Sequence, residues 1–276
     1  MISVIILTKD EEVEIAECLE SVSWCDDVHV LDSGSTDKTV EIATKLGAHI
    51  SVNRFQSFGQ QRNYALDNIT IKYDWILFLD ADERVTKTFH SAIINSISTC
   101  ETTVAGFYCC WKMILYNVWL KRCDNFPKWQ FRILRKGRAR FTDYGHGQKE
   151  GYVDGKIEYI KEPYLHYGFS KGWHQWIDRH NKYSSIEAKV RLENVPPIKN
   201  IFSKHGSVRN PALKAWLTKI PGWPLLRFLQ AYIIKFGFLE GIPGFTYCAN
   251  MAFYEFLIQI KIRELKYKSL EKETIH

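Results

Sequence analysis

Apolar runs along the first half of this chain stop abruptly at polar clusters, and helical spacing follows each stop. Ile2 to Leu7 is a short β-branched run. Thr8-Lys9-Asp10-Glu11-Glu12 follows it, and then apolar positions at Val13, Ala16, Leu19 and Val22 predict a helix. Asp27 to Leu31 (DVHVL) predicts a second strand, which breaks into Asp32-Ser33-Gly34-Ser35-Thr36-Asp37 before a helix carrying Val40, Ile42, Ala43 and Leu46. That helix stops at Gly47, and Ala48 to Val52 predicts a third strand. Ser57 to Leu66 predicts a helix, and Trp75 to Leu79 a fourth strand. Strands alternating with helices imply βαβ units, a parallel sheet and right-handed crossovers.

The fourth strand lies in YDWILFLDADER, where the apolar run ends in Asp80-Ala81-Asp82-Glu83. If the backbone stays extended there, Asp80 and Asp82 project to the same side, because strand side chains alternate. Two such carboxylates suit a hard divalent cation, Mg2+ or Mn2+, that also holds phosphate oxygens. The same acids also fit the approach to a helix that begins near Thr86. Ligands of open α/β sheets sit beyond the carboxyl ends of the strands, and three polar clusters fall at that edge: Thr8 to Glu11, Asp32 to Ser35, and Asp80 to Asp82. In DSGSTD, Gly34 frees the backbone and the following helix offers its positive end, while Asp32 at the strand tip suits a base or ribose. Neither GxGxxG nor GxxxxGK[ST] occurs, so a dinucleotide-binding turn and a P-loop are both unsupported. Arg62 either faces a nucleotide or belongs to a solvated helix face.

From about Val104 the alternation fails. Ala105 to Leu120 is aromatic and mixed, and Trp129 to Leu134 (WQFRIL) predicts a basic alternating strand. Gly145 and Gly147 around His146 predict a flexible loop that covers the crevice and binds a second substrate, ending at Glu150. A Glu in such a loop is ordinarily a solvated surface carboxylate. His166, in the aromatic run PYLHY, is ordinarily a satisfied core residue, with metal ligation the alternative. Lys171 to Val190 predicts an amphipathic helix. Between Glu193 and Glu240 there is no carboxylate but there are seven Lys or Arg, interspersed with Trp216, Trp223, Phe228, Tyr232 and Phe236. That composition suits a helix in a membrane interface, and equally a helical hairpin packed on the sheet. Lys261 to His276 reads as a charged, frayed tail.

Composition narrows the classes. With 276 residues and 46% hydrophobic content, the chain can bury a sizeable core as a globular protein. A net charge of +6 suggests an anionic partner. No nucleic-acid module appears, which disfavours nucleic acid. Seven cysteines without a CxxC pair argue against a disulfide framework and a zinc site, and suggest a reducing compartment. The opening MISVIILT carries no secretory signal, and charges interrupt the C-terminal hydrophobic region. The expected location is cytoplasmic, or peripheral on the cytoplasmic face of the inner membrane.

The TKDEE, DSGSTD, FGQQRNYAL and LFLDADE segments, in this order and spacing, resemble the family 2 glycosyltransferases of GT-A fold. The similarity is greatest to bacterial lipopolysaccharide-core and exopolysaccharide glycosyltransferases and covers about residues 2–190. GHGQKEG, KEPYLHY, HNKYS and FLEGIPG are similar to one subgroup. The resemblance implies an α/β, Rossmann-like, mostly parallel sheet flanked by helices. Residues 1–100 would form the nucleotide-sugar-binding βαβ half and 101–170 the acceptor-binding half, with 171–276 as a C-terminal helical, membrane-surface extension. It implies nucleotide-sugar contacts from Thr8, Asp10, Glu11, Asp32, Ser33, Arg62, Asp80 and Ala81. Asp82 would bind Mn2+ or Mg2+, and His166 would be a further ligand. Glu150 is the first choice for the catalytic base, with Asp143 and Asp124 behind it. Lys128 stands where many relatives carry an acid, which puts an acceptor-side role there in doubt.

The implied activity is an inverting hexosyl transfer from a nucleotide-sugar, UDP-linked, to a hydroxyl of a lipid-linked or glycan acceptor. One rival is a sugar nucleotidyltransferase, which normally needs a glycine-rich basic loop after the first strand, and TKDEE is not one. Another is a non-catalytic membrane-surface subunit, which would bind glycan or nucleotide and turn nothing over.

Overall fold

In the computed structural model, which describes residues 1–145 and 147–274, the apolar runs become neighbouring strands of one sheet. The first elements are β1 (Ile2–Thr8), α1 (Ile15–Ser21), β2 (Val28–Asp32), α2 (Thr39–Lys45), β3 (His49–Val52), α3 (Phe58–Asn68), β4 (Trp75–Asp80), β5 (Glu83–Arg84) and α4 (Lys87–Thr99). Six strands follow: β6 (Val104–Leu115), β7 (Val118–Trp119), β8 (Trp129–Arg135), β9 (Ala139–Tyr144), β10 (Gly147–Val153) and β11 (Lys156–His166). The sheet order is β3-β2-β1-β4-β8-β6-β11-β5, with β7 paired to β6. β3, β2, β1 and β4 are parallel, as the strand and helix alternation predicts. β8 runs antiparallel to β4 and β6, and β11 runs parallel to β6. This is the mixed, mostly parallel α/β architecture of the GT-A fold.

β1 shows why its sequence is apolar with no alternation: both faces are covered. Ile2, Val4 and Ile6 enter a core with Ile15, Leu19, Phe89 and Tyr164. Ile5 and Leu7 enter the opposite core with Leu31, Ala65, Phe78 and Phe141. Register then sets the site. Thr8 pairs with Asp32 and Leu7 with Asp80, so the polar stretches after β1, β2 and β4 emerge at one edge. The pairing of His166 with Glu83 brings the end of β11 to the same edge.

Two expectations are corrected. The predicted loop before Glu150 is instead an antiparallel hairpin of β9 and β10, with Tyr144 opposite Gly147 and Phe141 opposite Glu150. Gly145, at φ +58°, opens its turn, where a side chain would be strained; His146 lies outside the described residues. The charged tail is helical to Thr274, because Ile258, Ile262 and Leu265 belong to an apolar cluster with Ala188 and Tyr254, and Lys261 Nζ donates to Ser184 and Ser185 Oγ, both at 2.8 Å. Residues 275 and 276 lie outside the described residues. All seven cysteines are free thiols.

The chain divides into two compact units, residues 1–121 with 125–171, and 122–124 with the chain from 172 onward. The second unit is helical: α5 (Gly172–Glu193), α6 (Gly206–Leu217), α7 (Trp223–Leu229) and α8 (Gly241–Thr274). A 3-10 turn (Ile198–Phe202) precedes α6, and a π turn (Gln230–Ile234) and a 3-10 turn (Gly237–Glu240) join α7 to α8. A two-pronged ion pair of Arg191 with Glu255, at 2.7 and 3.1 Å, ties α5 to α8. Among the described residues no helix is long and apolar enough to cross a membrane.

Candidate active site

The edge beyond β1, β2 and β4 is built from loops that hold one another. Asp10, at φ 51°, accepts from the Thr36 amide at 2.7 Å, and its own amide donates to Ser35 Oγ at 2.8 Å. Glu11 lies 2.5 Å from Lys171 Nζ, and its amide donates to Thr39 Oγ1 at 2.7 Å. Asp32, buried at the end of β2, accepts from the Gly34 and Ser35 amides at 2.9 Å each, and from the Ser35 hydroxyl. A carboxylate has about four acceptor sites, so three bonds within its own loop leave Asp32 little capacity for a ligand. Ser33 accepts from Gln61 at 3.1 Å. Thr8 differs: its Oγ1 is buried and has no hydrogen-bond partner.

Asp80 closes β4 between two arginines. Arg62 Nη2 from α3 lies 2.9 Å from Oδ1, and Arg132 Nη2 from β8 lies 2.8 Å from Oδ2. Arg132 also lies 2.5 Å from Glu83, and its Nε donates to the Tyr164 hydroxyl at 3.2 Å. Burial alone would raise the Asp80 carboxyl, but Arg132 and Arg62 hold it well below the usual carboxylate range. Burial pushes Glu83 up to about 7 against the pull of Arg132, with the Asp80 charge adding to the rise.

The chain turns at Ala81 and Asp82 instead of staying extended, so the alternation expected of Asp80 and Asp82 is broken there. Arg84 fixes that turn by donating to the Ala81 and Glu83 carbonyls at 2.9 and 3.0 Å and pairing with Glu14. Ala81 is buried, and its amide donates to the Leu7 carbonyl at 3.1 Å. Asp82 instead meets His166, with Oδ2 at 3.4 Å from Nε2. Burial would lower the imidazole pKa, but the Asp82 charge and hydrogen bond leave it raised overall. Among the described residues no group of three or more His, Cys, Asp or Glu surrounds a metal position. Asp82 and His166 offer one carboxylate oxygen and one imidazole nitrogen, a donor set that fits Mn2+ or Mg2+ when phosphate oxygens and water complete the shell.

The candidate bases lie in three settings. Glu150 lies on β10, on the side of Tyr108 on β6; burial pushes that phenol up, and Glu150 adds to the shift. Asp143 is a helix anchor instead of an open base: Oδ1 accepts from the Gly59 amide at 3.0 Å and Oδ2 from the Ser57 hydroxyl at 2.7 Å, at the start of α3. A Cβ on Gly59 would stand 2.8 Å from Asp143 Oδ1, so that helix start needs its glycine. Asp124 is buried in the second unit, where it accepts from the Tyr247 hydroxyl. Arg62, expected to face a nucleotide, is fully buried against Asp80. Lys128 lies 5.8 Å from the centre of the Trp111 ring.

Sequence reasoning passed over Arg132, Glu83 and Arg84. The signal for Arg132 was present as one charge amid the apolar positions of WQFRIL, which in a buried strand demands a partner.

The model of the family described as Glycosyl transferase family 2 matches residues 3–149. An uncharacterized glycosyltransferase of Rickettsia typhi is 28% identical over 277 residues, which is 97% of this chain and 88% of that protein. The lipopolysaccharide core biosynthesis glycosyltransferase LpsC of Rhizobium meliloti is 22% identical over 267 residues, which is 95% of this chain and 91% of that one. Among solved structures, S. aureus TarS 1–349 in complex with UDP-GlcNAc superposes with a TM-score of 0.50 at 15% identity, covering 97% of this chain and 92% of that one. That likeness concerns the fold.

Proposed function

The chain belongs to glycosyl transferase family 2, and from that premise we propose that it transfers a hexose, with inversion, from a UDP-linked sugar. The acceptor is a hydroxyl of a lipid-linked or polysaccharide glycan in bacterial envelope synthesis, and the protein works at the cytoplasmic face of the inner membrane. One observation carries the chemistry: Asp80 and Glu83 are committed to buried arginines, whereas Asp82 faces His166 at the rim where the strands end.

Asp82 and His166 would hold Mn2+ or Mg2+, which when bound supplies charge neutralisation for the departing diphosphate. The chain's own residues do the rest. Thr8 Oγ1 supplies a hydroxyl with no partner in the protein, suited to a polar atom of the nucleotide. The lacing of Asp10, Glu11 and Asp32 with the 35–39 stretch shapes the wall against which the nucleotide lies. Arg62 and Arg132 hold Asp80, and through it the end of β4, in place. Glu150 takes the proton of the acceptor hydroxyl as its oxygen bonds to the anomeric carbon and the bond to diphosphate breaks on the opposite face. A single displacement of this kind inverts the centre and needs one carboxylate, not the close pair of a retaining hydrolase.

Purified protein with Mn2+ and a panel of nucleotide-sugars tests the proposal. Transfer with release of nucleoside diphosphate supports it; release of pyrophosphate indicates a nucleotidyltransferase. Absence of both nucleotide and metal binding by calorimetry would indicate a subunit that turns nothing over.

A further inference from the structure

The second unit carries an apolar crest that its own core leaves uncovered. From Trp223 to Gly244 the only charged residues are Arg227, Lys235 and Glu240. The Phe228, Tyr232, Phe238 and Phe245 rings pack with centroids 5.2–6.3 Å apart, joining α7, the π turn, the 3-10 turn and α8, and Phe238 and Phe245 are themselves exposed. In the same elements Leu225 (62%), Ile234 (71%), Leu239 (59%) and Ile242 (77%) are exposed as well. Apolar side chains so exposed, so close in sequence and on one folded base are more than the scattered exposure of an ordinary surface.

Charge decides what covers the crest. The chain from 194 to 239 has no carboxylate, and Lys199, Lys204, Arg209, Lys214 and Lys219 are exposed on the segments that lead to it. The acids nearby are turned inward: Glu240 accepts from the Arg122 and Cys123 amides, Asp124 from the Tyr247 hydroxyl and Glu255 from Trp223 Nε1 at 3.1 Å, all three buried. Gly237 and Gly244 make this possible. A Cβ on Gly244 would meet the Gly237 carbonyl oxygen at 2.3 Å, so the 3-10 turn and α8 come together only without one. The result is an apolar ridge flanked by basic charge with its acids hidden, which a protein partner of mixed charge does not require and an anionic lipid surface does.

We infer that the Leu225–Ile242 crest inserts into the headgroup region of an anionic phospholipid bilayer, with the lysines and arginine of 199–219 on the lipid phosphates. No described helix is long and apolar enough to span, so the attachment lies in the plane of the interface. The inference rests on the sugar-transfer proposal only for the choice of membrane, and it is read without any donor present.

Flotation of the full chain with vesicles of phosphatidylcholine, with and without phosphatidylglycerol, is the test. The protein is expected to float with the anionic vesicles, at least tenfold less with phosphatidylcholine alone, and to be released by high salt. Ile234→Glu with Ile242→Glu, both at exposed positions, should cut flotation tenfold or more while circular dichroism and the rate on a soluble acceptor stay unchanged. Two results would overturn the inference: flotation unaffected by the double substitution, or self-association in lipid-free buffer that the same substitutions abolish, which would make the crest a protein interface. Loss of sugar transfer with flotation intact would overturn the enzymatic proposal alone.

Discussion

Arg62 Nη2 lies 2.9 Å from Asp80 Oδ1, and the arginine is fully buried, so this side chain serves the protein before it serves any ligand. Removing it leaves Asp80 with Arg132 alone and opens a hole beside Phe78 and Phe141, whose rings lie 5.7 and 5.8 Å from the guanidinium. Arg62→Ala is expected to lower unfolding stability by about 3–5 kcal/mol, the scale of breaking a buried pair. Urea denaturation checks it. An unchanged urea midpoint together with weakened donor binding would return Arg62 to the role of nucleotide contact.

Asp82 and His166 face each other across 3.4 Å, and the metal assignment stands on that pair. Asp82→Ala is expected to lower transfer by more than about a hundredfold, and His166→Ala to raise the Mn2+ concentration for half-maximal rate by tenfold or more, since lost ligands cost at least as much as lost supporting groups. Mn2+ binding followed by electron paramagnetic resonance gives a readout besides activity. Unaltered Mn2+ affinity in both variants would remove the assignment.

What the sequence disclosed, and what it did not, follows from how far apart the partners are. β1 and β4 were legible because strands covered on both faces need apolar runs, and the stops at Thr8, Asp32 and Asp80 marked the site edge through local pattern alone. The pairing of Asp80 with Arg62 and Arg132 was not, because it joins three elements and depends on the β4–β8 register. His166 reaches Asp82 only through the two-residue strand β5, too short to leave a pattern. Around Gly145 and Gly147 glycine suggested looseness, yet Gly145 provides the positive φ of a tight turn between paired strands. The C-terminal charges looked like a frayed tail because the apolar positions that make α8 a helix answer to α5, residues away in the chain.

Glu150 differs from the other candidate bases in its setting, since it adds to the upward shift of the Tyr108 phenol while Asp143 and Asp124 are occupied in structural contacts. Glu150→Gln is expected to lower kcat by about a hundredfold to ten-thousandfold, the span of general-base catalysis, with donor KM little changed. Tyr108→Phe should lower kcat less. Asp143→Asn should instead weaken the start of α3 and lower stability by about 1 kcal/mol, a helix-cap effect. Steady-state kinetics paired with thermal unfolding separates the three, and full activity in Glu150→Gln would exclude it as the base.

His29 gives the fold a dependence on pH away from the site. It is buried, with Nε2 2.9 Å from Asp27 Oδ1, and burial lowers its pKa below 6.5 despite the opposing charge of Asp27. The unfolded chain takes up a proton on this imidazole near 6.5 and the folded chain only at lower pH. The contribution of His29 is therefore intact above 6.5 and is lost as pH falls through the interval down to the folded value. Glu83 acts in the opposite sense: its carboxyl, up at about 7, favours the folded state below the ordinary Glu range and loses that advantage as pH rises toward 7. His166, with its raised pKa, likewise supports the fold at low pH. The wild-type slope is thus a sum of opposed contributions, and the difference between wild type and His29→Gln isolates the one in question. Between pH 7.5 and 5.5 the wild type is expected to lose more stability than His29→Gln in urea unfolding. Equal losses, or a larger loss in the variant, would show that the buried imidazole is already charged in the folded protein.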